Sequence, residues 1–189
     1  LANCNQINDE NIELLINGLF ITITNVNFDN DYIKNYIGKV KEHITCDFHF
    51  DINTIWDANE DNRSLKALIL FGVKGVAAYA HHARILGYND NEVNKFFYKA
   101  LQKITQNISI DELTSLVLKT GEINLKCMKL LDKANTETYG IPIPTKVSTN
   151  IEAGPFIVVS GHDLHDMELL LEQTKDKGVK IYTHGEMLP

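Results

Sequence analysis

PFIVVSGHDLHDMELLLEQTKDKGVKIYTHGE, residues 155–186, is the stretch that decides the fold. It opens on a short, continuous apolar and β-branched run, Pro155-Phe-Ile-Val-Val-Ser160, of the kind buried in parallel sheets. Residues 163–174 follow at helical spacing, with Leu164, Met167, Leu170 and Leu171 on one face. Gly178 then turns the chain into a second run, Val179-Lys-Ile-Tyr-Thr183. Strand, helix and strand in that order make one β-α-β unit, with parallel strands and a right-handed crossover. Two strands have no complete sheet around them, so the unit reads as the truncated start of an α/β, Rossmann-like domain at 155–189.

Upstream, Ile141-Pro142-Ile143-Pro144 cannot continue a helix, because each proline lacks an N–H and pushes its predecessor to an extended form. Residues 141–154 therefore read as a linker. Residues 1–140 are helical by spacing, and five or six helices joined by short loops predict an antiparallel bundle. Asp9 is a candidate cap for a first helix with Ile12, Leu15, Leu19 and Ile23 inside. The Asn- and Asp-rich stretch 25–31 breaks it, and a second helix would bury Tyr32, Tyr36, Ile37, Val40 and Ile44. A short helix at 54–58 would place Trp56. Ser64 opens a long one carrying Leu65, Leu68, Ile69, Val73, Val76, Tyr79 and Ala83, stopped near Gly87. Residues 90–92 start another, with Val93, Phe96, Phe97, Leu101 and Ile104 inside. The last begins at 109–112 and runs through Leu113, Leu116, Leu118, Ile123, Cys127, Leu130, Leu131 and Ala134 to Gly140. The expected class is mainly α: a bundle followed by the first β-α-β unit of an incomplete α/β domain.

Of 189 residues, 44% are hydrophobic and 23% charged, which excludes a wholly disordered chain. Eighteen basic residues against 25 acidic ones leave a net charge of -7. Such a chain has no general attraction to phosphate backbones or anionic membranes, so neither nucleic acid nor a membrane is an expected partner. No apolar run approaches the roughly 20 residues of a span. The start has no basic segment leading into an apolar one, and the expected location is cytoplasmic. Cys4, Cys46 and Cys127 are far apart in sequence and build no local disulfide framework or metal knuckle; reduced thiols are the expectation. The first residue is not Met and the chain stops at Glu186-Met-Leu-Pro189, so it reads as an internal piece of something longer.

In open parallel sheets, ligands bind beyond the carboxyl ends of the strands. The two strand ends carry Ser160-Gly161-His162-Asp163-Leu164-His165-Asp166 and Thr183-His184-Gly185-Glu186. Equivalent strand ends bring His162 and Glu186 together, and a glycine before each lets the backbone approach a bound group. An imidazole with a carboxylate is a common ligand pair for iron, zinc or manganese. The competing role of this segment is ordinary: Asp163 and Asp166 suit a helix N-terminus, and the rest suit a polar turn. His165 falls on the first helical turn, where it could support the site from behind. His184 could bond a backbone carbonyl.

In the long central helix, His81 and His82 point about 100° apart and do not chelate one ion as an i, i+4 pair would. Gly72, Gly75, Ala77, Ala78 and Ala80 suit close helix packing, and Tyr79 and Arg84 suit hydrogen bonds across helices. No P-loop, GxSxG or HExxH motif is present.

Three segments carry a resemblance: GVKGVAAYAHHA at 72–83, VSGHDLHD at 159–166 and YTHGEMLP at 182–189, with TNVNFD at 24–29 in the same pattern. Together they resemble the hybrid-cluster protein family, also called prismane protein or hydroxylamine reductase, which is distantly similar to carbon-monoxide dehydrogenases. The resemblance implies a helical domain followed by two α/β domains, with a hybrid iron–sulfur–oxygen cluster (4Fe-2S-2O) where they meet. It also implies a second iron–sulfur cluster held by cysteines near the family's N-terminus, outside this segment.

On that basis His162 is the family's histidine ligand to the hybrid cluster and Glu186 one of its glutamate ligands, and both are the catalytic candidates. The remaining ligands, cysteines and a further glutamate, have no counterpart here, and none of the three cysteines matches a family ligand. Two ligands do not hold a multinuclear cluster, so the isolated piece is expected to bind none and to be inactive.

The activity implied for the whole protein is reduction of hydroxylamine, or a related small nitrogen oxide, to ammonia in an anaerobic setting, with electrons from a reductase partner. The alternative is a noncatalytic helical domain for docking or assembly. Unpaired strand edges would favour self-association of the piece.

Overall fold

In a computed structural model, residues 1–4, 7–23, 29–47 and 49–187 are described. Most of the TNVNFD motif (24–28), Phe48 and the closing Leu188-Pro189 lie outside them. The elements are α1 (Asp9–Ile21), α2 (Asn30–Glu42), α3 (Asn53–Trp56), α4 (Glu60–Ile85), α5 (Asn91–Ile104), α6 (Ile110–Tyr139), β1 (Phe156–Ser160), α7 (Leu164–Thr174) and β2 (Lys180–His184), ending in a 3-10 turn at Gly185–Met187. The class is mainly α, a helical bundle followed by a small parallel unit. Two compact groups of residues separate at 134/135.

In the first, Ile16, Ile55, Ile69, Val73, Val76, Phe97, Leu113 and Ile123 form one sealed core contributed by α1, α3, α4, α5 and α6. Each large aliphatic or aromatic side chain so buried is worth about 1.5–3 kcal/mol of transfer free energy. The small residues of α4 allow the packing: Ala77 and Ala80 are buried, and a Cβ on Gly72 would stand 2.8 Å from the Thr120 methyl of α6. Helix starts follow side-chain caps. Asn8, not Asp9, caps α1 by accepting from the Asn11 N–H at 2.8 Å; Asp9 instead takes a 2.8 Å hydrogen bond from the Arg84 Nη2 of α4. Asn59 caps α4 in the same way, so this helix starts at Glu60, four residues before the expected Ser64. Ser109 and Glu112 cap each other at the start of α6, Glu112 N–H to Ser109 Oγ and Ser109 N–H to Glu112 Oε2.

Further expectations fail in this region. No residue of α2 is buried, and Tyr32, Ile37 and the nearby Ile44 stay exposed. Amphipathic spacing requires only that one side of a helix be apolar, and here α2 contributes little more than Val40 to an open apolar groove of about 400 Å³ lined also by Leu14, Leu19, Leu70 and Leu101. Its ties are polar: the Tyr36 hydroxyl donates to the Leu14 carbonyl, and the His43 ring bonds Asn11 Oδ1 at 3.1 Å. The cysteines are also not all reduced. Cys4 and Cys46 are disulfide-bonded with a Cα–Cα distance of 5.2 Å, because α1 and α2 return the chain on itself over a separation of 42 residues. Cys127 is a free, buried thiol. Leu68 and Phe71 of α4 and Leu118 and Leu125 of α6, expected inside or unassigned, face solvent.

Residues 141–154 form no regular element and are exposed. β1 and β2 pair in parallel, Phe156 opposite Lys180 through Ser160 opposite His184. The second strand is thus one residue later than its apolar run suggested. Among the described residues no helix is long and apolar enough to cross a membrane.

Candidate functional site

The carboxyl ends of β1 and β2 lie at the same level because their register pairs Ser160 with His184, the last residue of each strand. Each strand then leaves through a glycine with positive φ, Gly161 at 151° and Gly185 at 69°, a region that side chains disfavour. One residue further on each side, the His162 Nδ1 and the Glu186 Oε2 are 3.4 Å apart. Both side chains are largely exposed, 66% and 75%, so a ligand could reach the pair without opening the fold.

The surrounding polar groups divide the work. Asp163 caps α7, accepting from the His165 N–H at 2.9 Å and the Asp166 N–H at 3.3 Å. Asp166 sits in the first turn of that helix, where its charge suits the helix dipole. Ser160 Oγ is bonded to the His184 Nδ1 at 3.2 Å; the register makes these two side chains direct neighbours, and His184 does not need the backbone carbonyl expected for it. His165 faces Glu168 one turn along α7, Nδ1 to Oε2 at 3.4 Å, and Glu168 also accepts from the Tyr139 hydroxyl. The Tyr139 and Glu168 contribution was invisible in sequence, since Tyr139 lies 29 residues from Glu168. The Ser160–His184 bond was open to inference only by extending the second strand one residue past its apolar run.

His81 and His82 are half-buried in the helical region, where aromatic contacts engage both rings. The His81 ring stacks on Phe20 at 4.1 Å between centroids and its Nδ1 is 2.8 Å from Asn17 Oδ1, while His82 meets Phe20 edge-on. Cys127 is equally unsuited to ligation: burial pushes its thiol up to about 12, with the Asp90 charge adding to the effect.

A donor pair of one imidazole and one carboxylate suits the non-thiolate part of an iron site. Among the described residues no group of three or more His, Cys, Asp or Glu is placed to hold a metal ion. By its chemistry the pair could serve as part of a metal's ligand set, which would need further donors.

The sequence model of the Prismane/CO dehydrogenase family matches residues 2–189. The chain is 42% identical to the hydroxylamine reductase of Methanocaldococcus jannaschii, over 98% of this chain and 40% of that protein. It is 44% identical to the hydroxylamine reductase of Thermodesulfovibrio yellowstonii, over 92% of this chain and 38% of that one. The same-named protein of Maridesulfovibrio salexigens is 41% identical over 100% of this chain and 39% of its own length. The chain thus spans about 40% of the length of these relatives.

Proposed function

This chain belongs to the prismane/CO dehydrogenase family, and from that premise we propose that it is part of an iron–sulfur oxidoreductase that reduces hydroxylamine, or a related nitrogen oxide, to ammonia. Hydroxylamine reduction takes up two electrons and two protons, breaks the N–O bond and releases ammonia and water. The observation that carries the reading is the juxtaposition of His162 and Glu186 at the ends of paired strands, 3.4 Å apart and open to solvent. In this reading residues 1–140 are the helical domain, 141–154 a linker and 155–189 the start of the cluster-binding α/β domain.

His162 and Glu186 would hold the oxygen-bearing part of a hybrid iron–sulfur–oxygen cluster in the whole protein. When bound, that cluster supplies electrons and an open iron position for the nitrogen substrate; a second iron–sulfur cluster and a reductase partner belong to the same proposal. A carboxylate binds metals through one oxygen or two, so Glu186 would suit a position beside the substrate's entry. Its place after Gly185 leaves the carboxylate on a turn rather than locked in the strand. Of the three cysteines, Cys4 and Cys46 are disulfide-bonded and Cys127 is buried, so in this reading the chain in isolation holds no cluster and turns over no substrate.

The test is iron, acid-labile sulfide and hydroxylamine reduction in the whole protein, prepared without oxygen, beside His162→Ala and Glu186→Ala. Part of the iron is lost in both, and activity falls by more than about 100-fold, above the loss typical of groups that only support a ligand. Unchanged iron and activity would return both residues to an ordinary polar turn.

A further inference from the structure

We infer that His184 and Ser160 form a clasp that positions the His162–Glu186 pair. The inference rests on the reading of that pair as ligands, and it concerns two residues that do not themselves touch the bound group. The backbone ladder ends at the Ser160–His184 rung. Beyond it the pairing stops, and side chains add to the contacts between β1 and the 3-10 turn in holding the spacing of the residues that follow. Ser160 Oγ and His184 Nδ1 stand 3.2 Å apart across this last rung. Each is two residues before one member of the pair: Ser160 before His162, His184 before Glu186. A tie at this level fixes both turns at their roots with equal leverage on the two side chains.

Gly185 is part of the same device. Its φ of +69° is a conformation that side chains rarely adopt, and a Cβ there would lie 3.4 Å from Ser160 Oγ. What calls for glycine there is the backbone conformation, since a Cβ at that distance is an ordinary van der Waals contact. Both clasp residues are exposed, so the bond adds little to a buried core; its effect is on geometry. Supporting hydrogen bonds of this kind commonly alter metal affinity or activity by about 10–100-fold when removed.

The test compares Ser160→Ala, His184→Ala and His184→Asn in the whole protein. Asn places its Oδ1 near the position of the imidazole Nδ1 and can accept from Ser160. In the metal-free protein, selectively labelled at His and Glu, Ser160→Ala and His184→Ala shift the side-chain resonances of His162 and Glu186, and His184→Asn returns them toward the wild-type positions. In the loaded protein the two Ala variants change the electron paramagnetic resonance signature of the cluster and lower kcat by about 10–100-fold with KM little altered, and Asn restores most of both. Unmoved His162 and Glu186 resonances in both Ala variants overturn the clasp whatever the pair binds. Resonances that move while His162→Ala retains full iron and a normal signature leave the clasp standing as geometry and overturn the ligand reading, and with it the catalytic role of the clasp.

Discussion

At Gly72 the space for a single methyl group decides how closely two helices approach. A Cβ there would meet the Thr120 Cγ2 at 2.8 Å, and Thr120 is buried with its hydroxyl given to the Leu116 carbonyl. A β-branched side chain in a helix has little rotamer freedom to withdraw. Overpacking costs about 1–3 kcal/mol, against a helix-propensity gain of about 1 kcal/mol for Gly to Ala. Gly72→Ala should therefore lose about 1 kcal/mol net in urea unfolding, and Thr120→Ser in the same chain should recover it; a Gly72→Ala chain as stable as the parent would show that the helices part freely.

Cys127 offers a pH-dependent counterpart. Its thiol contacts the Val76 carbonyl at 3.6 Å, and burial raises it from 9.0 to about 12. Above the unfolded-state value the unfolded chain has released a proton that the folded chain keeps, so stability falls as pH rises from about 9 toward about 12. Tyr36, raised by burial from 10.0 to about 12, acts in the same direction from pH 10 upward. Replacing Cys127 by Ala should flatten the first part of that fall, read as the slope of unfolding free energy against pH; an unchanged slope would assign the fall elsewhere.

Among the elements, α2 is the one whose sequence is least faithful to its surroundings. Tyr32, Tyr36, Ile37 and Val40 have helical spacing, and the helix forms where spacing says it should. Spacing reports which residues share a face, not whether another element comes to cover it, and none of the residues of α2 is buried. The disulfide that anchors the chain just beyond it has the same character: Cys4 and Cys46 are related only through the return of α1 and α2, which no local pattern encodes. In the chain-entropy account, closing a loop of this length stabilises the fold by about 2–4 kcal/mol. Cys46→Ser should lower the unfolding midpoint, and the parent treated with a thiol reductant should fall to the same value while the variant is indifferent to reductant. Equal midpoints for oxidised and reduced parent would remove any stabilising role from the bond.

By contrast α5 and β1 were legible almost to the residue, because their signals are local. Asp90 caps α5 with two backbone bonds, and the apolar run of β1 ends where Gly161 takes a positive φ. Of the candidate site, His162 and Glu186 could be paired from sequence because strand ends are discrete positions. The Ser160–His184 bond was missed because it depends on register, and a shift of one residue changes every cross-strand neighbour.

For the molecule as a whole, membership of the family covers residues 2–189 while the relatives are more than twice as long. The proposed chemistry is that of a protein as long as those relatives, to which this chain would contribute a helical body and the His162–Glu186 pair. The His162–Glu186 distance follows from the pairing of β1 with β2 and the Ser160–His184 tie at its end, not from the segment that joins the strands. Nineteen residues separate Ser160 from Lys180, the start of β2, and α7 within them can be regarded as a replaceable span. Insertions or deletions in its outer turns would change the length of the crossover without moving either strand end. A crossover of another length could thus join the same two strand ends and carry a different surface, with the pair unmoved.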